Sequence, residues 1–305
     1  MKVAVVELRG GEHGVEKLAV LDSERLCGLD QFHSSAPRQA FSHTSSVSPE
    51  GGLCALLESW NSLDASSRVE IDEWARGGLD IEDAHIVAPL ADRARVLMAG
   101  SRRFAEPLKD NAPVVAMLKY KSAFADPAAT IELPDLADKW DVDAVIGAIV
   151  GKSAFRLDAA AATDAIVGFT LIADVTDRAR FEEEARTNNG LMAKNHRGVS
   201  ALGPIVWLPE DPAAQPSRVE MRINGELRQA FSLDDLFWTV GDLASRWSAS
   251  TLLPGDMIGL GPAILRDGHQ KCPPAKIVAG DVIEISCAEI GTLRVTIGNQ
   301  KNGSR

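Results

Sequence analysis

The feature that most constrains this chain is a succession of short β-rich runs after Pro89, each closed by Gly, Pro or Asp turns. RVLMAG, VVAMLKY, ATIELP, VDAVIGAIVG, GFTLIADV, GPIVWLP, RVEMRI, DVIEIS and LRVTIG follow one another closely. So many closely spaced strands predict an antiparallel or mixed sandwich or roll and argue against a βαβ fold. RVEMRINGELRQAF reads as a hairpin, because Asn224-Gly225 supplies the positive φ angles of a tight turn. Two helices interrupt the strands. One is predicted over about 158–166 with Asp158 as N-cap, the other over about 232–250 with Ser232 as cap and Asp235 completing an imperfect capping box.

The first 85 residues have a different texture. KVAVVEL (2–8) and KLAVLD read as strands, 30–50 is rich in Ser, His and Pro and reads as loop, and 52–76 has helical spacing. The chain is therefore expected to be α+β and mostly β. A small N-terminal α/β domain (1–85) precedes a larger β domain (86–305).

Charge and cysteine usage exclude several classes. The net charge of −11 opposes nonspecific nucleic-acid binding, which needs a positive surface. A small anionic substrate remains compatible, since a few local Lys and Arg residues override the global sign. No apolar run reaches the roughly 18 residues of a membrane helix, and the N-terminus does not read as a signal peptide, so a cytoplasmic location is expected. Cys27, Cys54, Cys272 and Cys287 have no CxxC spacing and no paired histidines, which points to reduced thiols.

Five segments between 90 and 298 carry a family resemblance, in order and spacing. They are VVAMLKYKSAFADPAATIELP (114–134), GFTLIADVTDRAR (168–180), MAKNHRGVSALGPIVW with Lys194 twenty residues beyond Asp174, LLPGDMIGLG (252–261) and AGDVIEISCAEIGTLRVTIG (279–298). Together they resemble the fumarylacetoacetate hydrolase superfamily. The resemblance implies a mixed β-sandwich roll that usually pairs as a homodimer. It also implies Mg²⁺, or Mn²⁺, held by carboxylates and chelating a 2-oxo or β-diketo acid that is cleaved, decarboxylated or hydrated. Such an ion takes oxygen ligands, keeps positions for water and substrate, and polarises a carbonyl.

Carried onto this sequence, the family's E-x-E pair falls on Asp143 and Val145, and its third ligand on Asp174. Val cannot ligate a metal. Asp141 lies on the same strand face but about 6.5 Å further along. The metal set is thus Asp143 and Asp174, with Asp141 as auxiliary. Arg178 forks onto a substrate carboxylate or closes a salt bridge with Asp174 or Asp177. Lys194 neutralises an oxyanion or enolate and, with Lys119, binds the substrate. The family's water-activating His is missing from GSRRFAE (100–106), where Glu106 stands in its place. Glu106, and His269 in the insert ILRDGHQKCPPAK, are the candidate acid–base groups, and His196 is the other histidine within reach.

Three readings follow. The leading one is an enzyme acting on a small 2-oxo or β-diketo acid by C–C hydrolysis, or by related decarboxylation or hydration, at a weakened divalent-metal site. The second is a catalytically degenerate relative serving as a binding or partner subunit. The third is metal-independent acid–base chemistry on the same framework.

Overall fold

A computed structural model of the chain describes residues 2–8, 16–22, 25–28, 79–80, 84–90, 94–100, 114–134, 139–184, 187, 190–262 and 274–299. The strands are β1 (Lys2–Leu8), β2 (Glu16–Asp22), β3 (Arg25–Gly28), β4 (Leu79–Asp80), β5 (Ala84–Val87), β6 (Val96–Gly100), β7 (Val115–Lys119), β8 (Phe124–Ala125), β9 (Thr130–Leu133) and β10 (Trp140–Val150). They continue with β11 (Ile166–Asp177), β12 (Ser200–Trp207), β13 (Val219–Ile223), β14 (Glu226–Phe231), β15 (Met257–Leu260), β16 (Ala275–Ile277), β17 (Val282–Cys287) and β18 (Gly291–Asn299). Among the described residues, three short α-helices join them: α1 (Ala159–Thr163), α2 (Arg178–Glu184) and α3 (Val240–Trp247).

The fold is mostly β, in two mixed sheets. The larger runs β4-β3-β2-β1-β12-β11-β10-β15-β6-β7, with β16 also on β10, β5 on β1 and β8 on β12. The smaller runs β14-β13-β17-β18-β9. Most pairings are antiparallel, while β15 with β6, β12 with β8 and β18 with β9 are parallel. β1 joins the large sheet beside β12, with Lys2 opposite Trp207 and Val3 opposite Val206.

β10 and β11 form the centre, and every residue of both is buried. Strands covered on both faces read as near-continuous apolar runs rather than alternating ones. Their two faces meet different surroundings. Val142, Ala144, Ile146 and Ala148 pack in one core with Met221, Ile283, Ile285, Leu293 and Val295 of the small sheet. Val145 and Ile149 face the other way, among Met98, Ile172, Leu202, Val206 and Met257. The acids of β10 lie on this second face, at the Trp140 end.

The hairpin forms as the sequence predicts: Asn224 has φ 53° and Gly225 φ 80° between β13 and β14. Asp158 caps α1, its side chain accepting from the Ala161 amide at 2.9 Å. The helix expected over 232–250 is instead three elements, the last a 3₁₀ turn at Ser248–Ser250. A 3₁₀ turn at Leu233–Asp235 carries the Ser232/Asp235 capping box, and α3 begins after a second box made by Thr239 and Asp242. The Thr239 amide donates to Asp242 Oδ2 at 3.1 Å and Thr239 itself is extended, so no helix can run through it. α2 was not anticipated. The helical pattern of 52–76, the loop at 30–50, Glu106 and His269 lie outside the described residues. Among those described, no helix is long and apolar enough to cross a membrane.

Candidate functional site

The register of β10 against β11 assembles the site. Asp143 lies opposite Asp174 and Asp141 opposite Thr176. Directly paired residues share a face, and residues two apart on a strand do too. One end of the apolar second face therefore carries three carboxylates and a hydroxyl, all on buried residues. One rung further in, Val145 pairs with Ile172 and is 3% exposed. Its side chain is tightly enclosed: a Cβ built on Gly261 would lie 2.9 Å from Val145 Cγ2.

Two buried lysines converge on Asp174. Lys194 Nζ donates to Asp174 Oδ2 at 2.7 Å and to Thr176 Oγ1 at 2.9 Å. Lys119, at the end of β7 and 1% exposed, places Nζ 2.9 Å from Asp174 Oδ1. It donates to the Lys194 carbonyl at 2.9 Å and to Ser200 Oγ. Asp174 Oδ1 is buried and has no hydrogen bond, although it sits within ion-pairing distance of Lys119. The short distance places the Lys119 charge directly against that oxygen. Asn195 holds both lysines in place. Its Nδ2 donates to the Leu118 and Leu191 carbonyls at 2.8 and 2.6 Å, and its Oδ1 accepts from the Tyr120 amide at 2.6 Å.

Asp141 and Asp143 have their own partners. Arg178, the first residue of α2, closes a bidentate pair on Asp141, with Nε to Oδ2 at 2.6 Å and Nη2 to Oδ1 at 2.9 Å. Its guanidinium also lies 5.0 Å from the Phe181 ring centroid. Gln229 reaches in from β14. Its Nε2 donates to Asp143 Oδ1 at 2.9 Å, and its Oε1 accepts from the Ala144 amide at 2.8 Å.

These surroundings separate the acidities. Burial opposes ionisation of Asp174, but Lys119 and Lys194 outweigh it and hold the carboxyl down at about 2. Burial pushes the Asp143 carboxyl up to about 7, against the Gln229 hydrogen bond and the Lys194 charge. Burial also raises Asp141, against the pull of Arg178. Burial lowers the Lys119 ammonium to about 8, against the attraction of Asp174.

The structure thus brings together Asp141, Asp143, Asp174, Arg178, Lys119 and Lys194. Arg178 closes its fork on Asp141, not on Asp174 or Asp177 as weighed from sequence. His196 stands apart, with Nε2 3.2 Å from Asp177 Oδ2 and its ring edge-on to Trp140. Gln229, Thr176, Ser200 and Asn195 were not anticipated. Thr176, Asn195 and Ser200 lie inside the recognised segments but their contacts are set in space, and Gln229, outside those segments, meets Asp143 across 86 residues of sequence.

A divalent cation fits this donor set poorly. Val145 fills the second ligand position, Arg178 occupies both oxygens of Asp141, and an ammonium faces each oxygen of Asp174. Among the described residues, no group of three His, Cys, Asp or Glu side chains is arranged to hold a metal ion.

The central strand pair of this mixed β-roll carries a buried carboxylate–lysine cluster. Residues 85–298 match the fumarylacetoacetate (FAA) hydrolase C-terminal family, so the chain belongs to the fumarylacetoacetate hydrolase family. It is 30% identical over 166 residues to an uncharacterized protein of Staphylococcus aureus (strain USA300), covering 53% of this chain and 54% of that one. The chain spans about half the length of the curated relatives it matches. Its fold is similar to that of maleylpyruvate hydrolase from Sphingobium sp. SYK-6 in complex with manganese(II) ion and pyruvate (TM-score 0.72, 16% identity, 99% of this chain and 100% of that one). It is similar also to fumarylacetoacetate hydrolase from the psychrophile Exiguobacterium antarcticum (TM-score 0.72, 22% identity, 98% and 100%). A third is a probable 2-hydroxyhepta-2,4-diene-1,7-dioate isomerase from Mycobacterium abscessus (TM-score 0.70, 20% identity, 99% and 100%).

Proposed function

We propose that this chain is an enzyme acting on a small 2-oxo or β-diketo acid, by C–C bond hydrolysis or the related decarboxylation or hydration. One observation carries the reading. Lys194 is buried, held by Asp174 and Thr176, and has one N–H direction beyond those two bonds. An ammonium fixed in a low-dielectric pocket is a preorganised donor for the negative charge that develops on a substrate oxygen. In hydrolysis of a β-diketo acid, water adds to the distal carbonyl and the C–C bond breaks. The released electron pair becomes the enolate of the 2-oxo acid product, whose oxygen Lys194 would face and whose carbon takes up the proton that the water gives up.

The other residues serve this geometry. Asp174 and Thr176 orient Lys194. Lys119 balances the charge of Asp174 from 2.9 Å, while it donates to the Lys194 carbonyl and Ser200. Arg178 ties Asp141 and β10 to α2, so substrate charge falls to Lys194 rather than to Arg178. The Mg²⁺ or Mn²⁺ expected at Asp143 and Asp174 is not used in this scheme, because the donor set fits it poorly. The family match and its hydrolase and isomerase neighbours support the substrate class.

The test is turnover by the full chain of a panel of acylpyruvates and oxaloacetate, followed by loss of enol absorbance and by pyruvate release. Saturable turnover of at least one member supports the proposal. A folded chain inert to the whole panel, with and without added Mg²⁺ and Mn²⁺, contradicts it.

A further inference from the structure

From the partners of the three carboxylates we infer that this pocket works without a divalent cation, the ammonium groups of Lys119 and Lys194 standing on Asp174 in its stead. The inference builds on the family reading above, but its evidence is the local geometry. A cation bound by carboxylates needs oxygens that are not already engaged and a surplus of negative charge. Here the negative charge is already matched by nearby cations, and most of the carboxylate oxygens already face a donor.

Arg178 takes both oxygens of Asp141. Gln229 takes Oδ1 of Asp143. Lys194 and Lys119 face the two oxygens of Asp174 at 2.7 and 2.9 Å. The three acids are matched by Lys119, Lys194 and Arg178, so the cluster is formally neutral before any ion arrives. A dication would enter beside two buried ammonium groups, and like charges repel strongly where little solvent screens them.

The apolar side of the cluster agrees. Val145 adds no oxygen where a second ligand would stand and is packed among Met98, Ile172 and Met257. The lysines are not surface side chains that happened to drift inward. Asn195 staples the Leu118 carbonyl to the Lys194 segment, and Ser200 and the Lys194 carbonyl fix Lys119. The arrangement is built into three elements of the fold.

The test is a Mn²⁺ titration of the full chain after EDTA treatment and desalting, read by the electron paramagnetic resonance signal of free Mn²⁺. The wild type is expected to show no binding tighter than about 1 mM. Saturable one-to-one binding at micromolar Mn²⁺, displaced by Mg²⁺, would overturn the inference. Lys194→Met removes one ammonium and uncovers an Asp174 oxygen, so it is expected to bind Mn²⁺ at least about tenfold more tightly than the wild type. A folded Lys194→Met protein with no gain would overturn the role given to the lysines; if that variant does not fold, the wild-type titration decides alone. This readout is independent of turnover. A chain that ignores Mn²⁺ and converts nothing sinks the catalytic proposal alone, whereas one that binds Mn²⁺ and converts a diketo acid sinks this inference alone.

Discussion

Replacing Asp143 by Asn should stabilise this protein, and the gain should depend on pH. The Asp143 carboxyl, pushed up to about 7 by burial, binds its proton more tightly folded than unfolded, where an Asp titrates near 4. Between about pH 4 and about pH 7 the folded state therefore carries the extra proton, and linkage makes stability fall as pH rises through that window. The gap corresponds to at most about 4 kcal/mol, at about 1.4 kcal/mol for each tenfold in proton affinity. Asn keeps an oxygen to accept from Gln229 Nε2 and carries no charge at any pH, so it escapes this penalty. Lys119, held at about 8, titrates above the window and is common to both proteins. Urea denaturation of both proteins in EDTA should show Asp143→Asn close to wild type near pH 4.5 and more stable by a few kcal/mol near pH 8. A variant that is less stable than wild type by the same amount at both pH values would refute the reasoning, since Asp143 would then be ionised and fully compensated.

Other predictions follow from the same contacts. Gln229→Leu leaves the Ala144 amide and Asp143 Oδ1 without their partner, and should cost about 1–3 kcal/mol by urea denaturation. Arg178→Gln leaves Asp141 without its fork and should lower stability by about 3 kcal/mol near neutral pH, with much of the loss recovered when Asp141 is also made Asn. Thr239→Ala removes the cap of α3 and should cost about 1 kcal/mol, read as a drop in thermal midpoint. We further propose that the chain is a homodimer with an interface beyond about 1,000 Å². Light scattering at micromolar concentration should give twice the chain mass; a single-chain mass that does not rise with concentration would contradict this.

The β architecture was legible because β10 and β11 are long apolar runs bounded by turn residues, and because Asn224-Gly225 fixes its hairpin locally. The Asp143–Asp174 pair was legible too, since both sit at fixed distances from recognisable neighbours in sequence. What escaped was everything set by packing. Gln229 sits on a different sheet from the strand it clamps, and no periodicity marks it. For Lys119 the sequence shows the charge but not the Ser200 and Lys194 acceptors around it. For Arg178 a salt bridge was weighed with Asp174 or Asp177, and its partner Asp141 escaped because the distance from α2 to Asp141 depends on how β11 ends. The helix over 232–250 failed for a local reason: Ser232 and Thr239 each start an element, and the second cap interrupts what periodicity alone would continue.

The central claim is that Lys194 supplies the positive charge at the reacting oxygen. It is tested most directly by kcat of wild type and Lys194→Met, both in EDTA, on whichever acid of the panel the full chain converts. The account predicts that the wild type keeps its rate in EDTA and that Lys194→Met loses roughly a hundredfold or more in kcat, the usual cost of removing one oxyanion donor. An unchanged kcat in a folded Lys194→Met protein, or a wild-type rate abolished by EDTA and restored by Mg²⁺, would contradict it.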